Sequence, residues 1–193
     1  MNAQGAGKLQ TRFRRVVRPV AKQLWRFHLE GFERLPAEGP AILCPNHISF
    51  LDSAFLMLHV PRNISFVGKA EYMDSWKTKF IFPAMGMIPI DRAGGDKSQA
   101  ALDTAERVLR RGELFGIFPE GTRGFAADPA PFKAGLFHLA EAFPEVQLIP
   151  AWIANVQRVM PKGEVVPVPI LCSVTFGAPL QLQPGEDKRV FLD

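Results

Sequence analysis

Cysteine is scarce in this sequence, which has only Cys44 and Cys172 among its 193 residues. The two lie far apart and match neither a zinc-binding nor a redox dithiol spacing, which argues against a disulfide scaffold and a cysteine-based metal site. Both occur in apolar, strand-like runs. We therefore expect both thiols to be buried and reduced, in a reducing compartment.

Long hydrophobic runs are also missing. The longest, residues 80–90, has 11 residues and is interrupted by Pro83, Gly86 and Pro89, whereas a bilayer-spanning helix needs roughly 18 apolar residues or more. The N-terminus has basic residues but neither the apolar core nor the cleavage site of a signal peptide. The spacing of a nucleotide-binding P-loop and the dinucleotide fingerprint are absent too. We therefore expect no transmembrane helix, no secretory signal and no nucleotide site of these kinds.

Acidic side chains are absent before Glu30, although seven basic ones lie in the same stretch: Lys8, Arg12, Arg14, Arg15, Arg18, Lys22 and Arg26. Of the 23 bases and 19 acids, the remaining chain holds 16 and 18, so the net charge of +4 originates in the first thirty residues. Apolar residues recur there at helical spacing, on the side opposite the bases: Leu9, Phe13, Val16, Val17, Val20, Leu24 and Phe27. This pattern predicts an amphipathic helix from residue 8 to about residue 29, which Pro19 is expected to divide into two pieces.

A helix with one bulky apolar stripe and a cationic opposite side is typical of segments that lie in a membrane interface. An ordinary packing helix is the alternative, but a surface helix normally mixes acids into its polar side. Nucleic acid is a less suitable anionic partner, because no nucleic-acid-binding motif accompanies the bases. We predict that residues 1–30 bind anionic lipids as a peripheral segment at the cytoplasmic side of the cell membrane, and that residues 31–193 form one domain.

From residue 41 onwards, short apolar runs alternate with amphipathic segments. Strands are predicted at residues 41–44, 64–67, 87–90, 114–118, 148–153 and 170–176, and helices at residues 49–59, 71–82, 97–111 and 132–143. Such alternation predicts an α/β fold with a mainly parallel central sheet and helices on both faces. Residues 191–193 lie where a further helix is expected to begin, so we expect the natural chain to continue beyond them.

His47 follows the predicted strand at residues 41–44, and Asp52 lies five residues further on. Open α/β sheets place their chemistry at the carboxyl ends of such strands. At this offset the carboxylate could fold back to hold the imidazole, which is how a catalytic base is commonly oriented. The alternative is a core histidine followed by an acidic residue at a helix N-terminus. The pair by itself leaves both possibilities open.

A second candidate site is the sequence PEGTRG at residues 119–124, which follows another predicted strand. Its two glycines permit a sharp turn that brings backbone N–H groups close to a ligand. Thr122 offers a hydroxyl group, and the guanidinium of Arg123 suits a phosphate or a carboxylate. We expect Glu120 to pair with Arg123, although a contact to a substrate hydroxyl is also open. The loop predicts a phosphate site, whereas a polar surface turn would explain the same residues without one.

Four short sequences occur in order along the chain: NHISFLD at residues 46–52, GMIPIDR at 86–92, FPEGTR at 118–123 and IPA at 149–151. Together they resemble the four ordered blocks of glycerolipid acyltransferases, and most closely those of the bacterial-type 1-acyl-sn-glycerol-3-phosphate (lysophosphatidic acid) acyltransferases. The resemblance extends from about residue 30 to residue 177. Gly124 departs from the pattern, because many family members have serine there.

The resemblance implies that a fatty acyl group passes from acyl-CoA or acyl carrier protein to the free hydroxyl of lysophosphatidic acid. The product would be phosphatidic acid, in phospholipid biosynthesis. His47 would take the hydroxyl proton as a general base, and Asp52 would hold its tautomer. The residues expected to bind substrate, chiefly the acceptor phosphate, are Glu120, Gly121, Thr122, Arg123 and Arg92, with Lys69 as a further phosphate candidate.

The reaction so implied needs no metal, no cofactor and no enzyme nucleophile, so we expect direct attack of the hydroxyl on the thioester. The expected partners are a lysophospholipid acceptor, an acyl thioester donor and a membrane surface with anionic lipids. One alternative is an acyltransferase of the same family that uses another lysolipid or a glycolipid as acceptor. The other is a non-catalytic, membrane-associated lipid-binding protein, against which the intact pair of His47 and Asp52 argues.

Overall fold

The computed structural model describes residues 3–69, 78–90, 97–124, 128–161 and 166–193, and a seven-stranded sheet lies at its centre. The strands are β1 (Phe27–Glu30), β2 (Ala41–Pro45), β3 (Ile64–Lys69), β4 (Met87–Ile90), β5 (Leu114–Gly116), β6 (Leu148–Ala154) and β7 (Cys172–Phe176). Their order across the sheet is β1-β7-β6-β2-β5-β3-β4. Every neighbouring pair is parallel except β6 with β7. The predicted mainly parallel sheet is confirmed.

The helices are α1 (Ala3–Leu24), α2 (Asp52–His59), α3 (Thr78–Ala84), α4 (Lys97–Leu109), α5 (Ala134–Ala142), α6 (Val156–Val159) and α7 (Lys188–Leu192). The observed α4 and α5 lie within two residues of their predicted bounds at either end. α2 begins three residues later than predicted, because residues 50 and 51 form a turn. Most of the helix predicted at residues 71–82 lies outside the described residues. None of the helices that the structure describes is long and apolar enough to span a membrane.

Helices cover both faces of the sheet because successive residues of a strand point to opposite sides. On β2, Leu43 packs into a core cluster that includes Phe55 of α2. Its neighbour Ile42 points the other way, into a cluster that includes Val108 of α4 and Leu139 of α5. A strand that is buried on both faces is typical of parallel sheets. The carboxyl ends of the adjacent strands β2 and β5 are thereby held side by side in the middle of the sheet.

The N-terminal segment differs from its prediction in two ways. α1 is one continuous helix through Pro19, so the predicted division into two pieces is wrong. Pro19 is exposed and removes only one helical hydrogen bond, while Phe13 and Ala21 pack into a cluster with residues of α2. α1 also ends at Leu24, and residues 27–30, mostly predicted as helix, form β1 beside β7. The sheet therefore contains residues from both sides of the boundary predicted after residue 30.

α1 packs against the domain with a face that lies beside the predicted apolar stripe. Among residues 7–24 of α1, whose burial the structure describes, Gln10 and Ala21 are buried, whereas Val16 and Val20 are 73% and 60% exposed. The Gln10 side chain donates to the carbonyl oxygen of Ile64 at 2.7 Å and accepts from the N–H of Ile64 at 3.0 Å. Part of the apolar stripe therefore remains on the surface.

Two of the seven N-terminal bases contact the domain rather than solvent alone. Arg14 donates to the carbonyl oxygens of Val60 and Arg62 at 3.0 and 2.7 Å, and Arg18 donates to that of His59 at 3.3 Å. The carbonyls of His59 and Val60 lie at the C-terminal end of α2, where the helix dipole favours cations. Burial lowers the pKa of Arg14, and the neighbouring charge of Arg18 adds to the shift.

Candidate active site

His47 and Asp52 form a hydrogen-bonded pair at the carboxyl end of β2. The imidazole Nδ1 lies 2.9 Å from Asp52 Oδ2, and the aspartate side chain is fully buried. The same carboxylate oxygen accepts the backbone N–H groups of Ile48 and Ser49 at 2.7 and 2.8 Å. Asp52 is also the first residue of α2, so the helix N-terminus adds a favourable dipole to these contacts. The five-residue offset thus closes a tight loop around one carboxylate.

The pairing determines which nitrogen of His47 is available for chemistry. An ionised carboxylate only accepts hydrogen bonds, so the proton on the imidazole resides on Nδ1 and the lone pair on Nε2. The His47 side chain is 20% exposed, enough for Nε2 to meet a ligand. The arrangement is that of a general base oriented by an acid.

Aromatic stacking holds the imidazole from its face. The rings of His47 and Phe118 are stacked, with their centroids 4.0 Å apart, and Phe118 stacks in turn on Phe66 at 5.3 Å. The Phe66 ring fits only because residue 116 is glycine, where a Cβ atom would lie 2.1 Å from its Cε1. A glycine in β5 therefore supports the imidazole through two phenyl rings.

Asn46 continues the hydrogen bonding between β2 and β6 beyond the end of β2. Its side-chain amide donates to the carbonyl oxygen of Ile153 at 3.1 Å, and its side-chain oxygen accepts the N–H of Ile153 at 2.6 Å. The side chain is buried, with 6% of its surface exposed. Asn46 thereby anchors the loop that carries His47 to the neighbouring strand.

The loop at residues 118–124 meets the His47 loop directly, but not through the contact we expected. The Glu120 carboxylate is 1% exposed. It accepts the backbone N–H of His47 at 2.7 Å through Oε1 and that of Ala130 at 3.1 Å through Oε2. The expected pairing of Glu120 with Arg123 is wrong: no ion pair joins them among the described residues, because the carboxylate is buried against backbone donors while Arg123 is exposed. Gly124 completes the junction by donating its N–H to the carbonyl oxygen of His47 at 2.8 Å.

Arg123 and Thr122 remain exposed on this loop. Among the described residues, Arg123 has no ion-pair partner, so its guanidinium is available to a ligand. Gly121 has φ +67°, a backbone conformation that favours glycine. A Cβ atom there would lie 3.1 Å from Cγ of Lys133. Lys133, the residue before α5, is thus a second base beside this loop.

Two predicted substrate-binding residues and one missed residue complete the comparison with the sequence. Lys69 is the last residue of β3, and its side chain lies outside the described part of the chain, as does Arg92 altogether. Lys133 was not singled out from the sequence. A basic residue immediately before a helix, nine residues after the PEGTRG sequence, was the available signal.

The thiol nearest to the site is unsuited to nucleophilic chemistry. Burial raises the pKa of Cys44 to about 12, and that of Cys172 to about 11. A thiol with such a pKa carries almost no thiolate at neutral pH, and the thiolate is the nucleophile. Both cysteines are free.

Two further features bear on the position of the site. Within the described ranges no group of three or more histidine, cysteine or acidic side chains could hold a metal ion. A cavity of about 290 Å³ lies near the opposite ends of the strands, where its lining includes Ser65, Gly86 and Glu113 but neither His47 nor the loop at residues 118–124. This cavity lies away from the junction of the two loops. The junction, with its paired His47 and Asp52, is the candidate active site.

The chain is similar to known acyltransferases in sequence and in fold. Residues 26–154 match the family model described as Acyltransferase. The chloroplastic 1-acyl-sn-glycerol-3-phosphate acyltransferase LPAT1 of Arabidopsis thaliana is 29% identical over 140 residues, which are 72% of this chain and 39% of that protein. A 1-acyl-sn-glycerol-3-phosphate acyltransferase of Borreliella burgdorferi is 29% identical over 110 residues, covering 57% of this chain and 44% of that protein.

The same fold occurs in a solved structure. The crystal structure of the 1-acyl-sn-glycerophosphate (LPA) acyltransferase PlsC from Thermotoga maritima matches all of this chain and 79% of that one, with a TM-score of 0.70 and 19% sequence identity. The chain spans about half the length, or less, of the curated relatives that it matches. Because the family model matches more than half of its residues, the chain belongs to the Acyltransferase family.

Proposed function

We propose that this protein transfers a fatty acyl group from acyl-CoA or acyl carrier protein to the free hydroxyl of lysophosphatidic acid, giving phosphatidic acid. The observation that carries this proposal is the junction of two loops, one bearing the His47–Asp52 pair at 2.9 Å and the other bearing the exposed Arg123. An acceptor with a hydroxyl group and a phosphate could reach a base and a cation there at the same time. The names of the relatives support the choice of acceptor.

The proposed reaction is a direct attack on the thioester. His47 Nε2 takes the proton of the acceptor hydroxyl as its oxygen bonds to the thioester carbonyl carbon. The C–S bond then breaks, the thiolate leaves, and the proton on His47 passes to the thiolate sulfur. Asp52 stabilises the imidazolium between these two proton transfers. No acyl-enzyme forms, which agrees with the high pKa of the Cys44 thiol.

The proposed role of Arg123 is to hold the acceptor phosphate, with Thr122 and the backbone of Gly121 beside it. A guanidinium binds phosphate with two parallel hydrogen bonds and so fixes its orientation. Lys69 and Arg92 stay predictions for the same anion. Holding the phosphate would place the hydroxyl beside Nε2, so the binding energy of a group that does not react serves the chemical step.

The experiment is a thiol-release assay with palmitoyl-CoA and two acceptors, lysophosphatidic acid and monoacylglycerol. Wild type should release thiol with the phosphorylated acceptor, and His47→Ala should lower kcat by roughly 100-fold or more, the usual contribution of a general base. Arg123→Ala should raise KM for lysophosphatidic acid and leave the monoacylglycerol reaction unchanged. Equal effects of Arg123→Ala on both acceptors would refute its role, and full activity of His47→Ala would refute the mechanism.

We further propose that the exposed side of α1 rests on a membrane with anionic lipids, at its cytoplasmic face. Four apolar residues of the helix are exposed, Leu9, Val16, Val20 and Leu24, and exposed bases flank them. Each base near an anionic leaflet contributes about 1 kcal/mol. The partners would then be a lipid surface, the lysophospholipid acceptor and the thioester donor, with no cofactor.

Vesicle cosedimentation tests the membrane proposal. Deleting residues 1–30 would also remove β1, so the better variant is Val16→Asp with Val20→Asp, which leaves the buried face of α1 intact. Binding to vesicles with anionic phospholipid should fall strongly. Val190→Asp is the matched control, because Val190 is 68% exposed on α7. Unchanged vesicle binding by the double variant would contradict the proposal.

A further inference from the structure

We propose that Glu120 is a positioning residue: with Gly124 it clamps the His47 peptide, and this clamp sets the distance between the catalytic base and the acceptor phosphate. The enzyme would then select its acceptor by the spacing between hydroxyl and phosphate. The inference rests on the proposed function, and it assigns Glu120 to the protein backbone rather than to the substrate.

The clamp consists of two hydrogen bonds to one residue. The N–H of His47 donates to Glu120 Oε1 at 2.7 Å, and the carbonyl oxygen of His47 accepts from the N–H of Gly124 at 2.8 Å. Both polar groups of the His47 backbone are therefore bound by the loop that carries Arg123, 76 residues further along the chain. A shift of the His47 backbone relative to the loop that carries Arg123 would therefore break one of these bonds.

Glu120 is suited to this task and unsuited to binding substrate. Its side chain is 1% exposed, and its second oxygen accepts the N–H of Ala130 at 3.1 Å. Hydrogen bonds from N–H groups to a carboxylate are shorter and stronger than neutral ones. Two such donors on a buried carboxylate make a rigid support. An acceptor hydroxyl would have to displace one of them to reach Glu120.

Gly124 has a steric reason to lack a side chain. A Cβ atom there would lie 2.6 Å from Glu120 Oε2, closer than any van der Waals contact permits. A serine, which many family members have at this point, would therefore require the Glu120 carboxylate to move. In this chain Gly124 leaves room for the Glu120 carboxylate, and the two residues bind the carbonyl oxygen and the N–H of His47, respectively.

The clamp links two functions that are otherwise separate. Asp52 and Phe118 orient the imidazole ring, but they do not determine how far it lies from Arg123. That distance depends on the backbone junction at residues 47, 120 and 124. An acceptor whose phosphate is one carbon further from its hydroxyl would then present that hydroxyl out of line with Nε2.

The test uses two positional isomers as acceptors, 1-O-alkyl- and 2-O-alkyl-glycerol 3-phosphate, which have the same composition but differ by one carbon in the spacing between free hydroxyl and phosphate. Their chains are ether-linked and cannot migrate between positions. We expect wild type to prefer the 1-O-alkyl isomer, whose free hydroxyl is on the carbon next to the phosphate ester. The variant is Glu120→Gln, because an amide has one acceptor oxygen where two N–H groups need one each. Glu113→Gln is the matched control, since it removes a carboxylate at the other end of β5.

Glu120→Gln should lower kcat/KM for the preferred isomer about 100-fold, the loss expected when a catalytic group is displaced by about 1 Å. The other isomer should lose much less, so the preference collapses, whereas Glu113→Gln retains it. Because the ratio is measured within one preparation, partial unfolding does not affect it. Equal losses on both isomers would mean a merely structural role and would overturn the proposal that the clamp selects the acceptor.

A second measurement does not depend on activity. The backbone amide proton of His47, bound to a carboxylate, should resonate far downfield in the NMR spectrum and move upfield in Glu120→Gln. Because the glutamine amide can keep one of the two bonds, unmoved resonances of both the His47 and the Ala130 amide protons would refute the clamp. If wild type acylates neither isomer, the proposed function fails, while these two resonances still decide whether the clamp exists. If Glu120→Gln does not fold, Gly124→Ala is the alternative variant, because its Cβ displaces Oε2 of Glu120 and should weaken the same preference.

Discussion

His47 and His59 lie on adjoining parts of the chain in environments that look alike at first. Each imidazole stacks on a phenyl ring, His47 on Phe118 at 4.0 Å and His59 on Phe27 at 4.1 Å. Each also places Nδ1 2.9 Å from an oxygen acceptor. The acceptor of His47 is the Asp52 carboxylate, whereas that of His59 is a backbone carbonyl.

The difference in acceptor and in burial decides which ring can do chemistry. His59 is 2% exposed, and its Nε2 is buried without a hydrogen-bond partner in the described structure. The pKa of His59 is lowered to about 4, chiefly by burial and to a smaller extent by the charges of Arg18 and Lys22, against a raising effect of its hydrogen bond to Phe55. His59 is thus a neutral core residue, while His47 pairs with a carboxylate and keeps 20% of its side chain exposed.

The largest expected effects separate the two histidines. His47→Ala should lower kcat by about 100-fold or more, with little change in melting temperature. His59→Ala should leave kcat/KM near wild type but destabilise the fold by about 2 to 4 kcal/mol, because it removes a fully buried ring. Activity assays and thermal unfolding of both variants measure this. If His47→Ala lost as much stability as His59→Ala, His47 would also be a structural residue, which would contradict the distinction between the two histidines.

A smaller effect concerns the pH dependence of stability. The pKa of His59 is lower in the folded protein, about 4, than its usual 6.5, so the unfolded chain binds the additional proton between these values. Folding stability should therefore be complete above pH 6.5 and fall as the pH decreases towards 4, by at most about 3 kcal/mol. Melting temperatures of wild type and His59→Phe across this range measure the effect.

His59→Phe keeps an aromatic ring but cannot titrate, so its stability should depend less steeply on pH than that of wild type. His28→Phe is the control, because His28 is exposed on β1. If the melting temperatures of wild type and His59→Phe changed in parallel with pH, His59 would not contribute to the pH dependence of stability.

The smallest effect is expected at Cys44, three residues before His47. Because burial raises its pKa to about 12, the native protein should react with iodoacetamide far more slowly at this thiol than after unfolding. Cys44→Ser should retain kcat within about threefold, since in the proposed mechanism no acyl group passes through the thiol. If Cys44→Ser lost activity while His47→Ala kept it, the sulfur rather than the imidazole would be the reacting group.

Local sequence patterns predicted most strands and helices but not the N-terminal region. The periodicity of residues 8–29 included Phe27, which fits a helical stripe equally well as it fits β1. What makes residues 27–30 a strand is their pairing with Cys172 to Thr175 of β7, and no pattern local to the N-terminus contains that partner. In the same way, packing against α2 and α3 keeps α1 continuous at Pro19.

The two candidate loops were also identifiable from the sequence, because each consists of a few chemically distinctive residues after an apolar strand. The role of Glu120 was not. Electrostatic reasoning paired it with the nearest base, Arg123, whereas in the fold its carboxylate receives backbone N–H groups of His47 and Ala130. A backbone donor has no sequence signature, since every residue except proline has one.

The sequence by itself determined the alternation of strands and helices, the order of the four motifs and the family, because these depend on residue types close together in the chain. Only the tertiary structure decided that α1 buries Gln10 and Ala21 while part of its apolar stripe stays exposed, that β1 joins the sheet, and that Glu120 holds the backbone of His47. Those outcomes depend on which groups meet across many residues, 73 in the case of His47 and Glu120. Such long-range contacts are determined by the packing of the whole chain, not by the local sequence pattern.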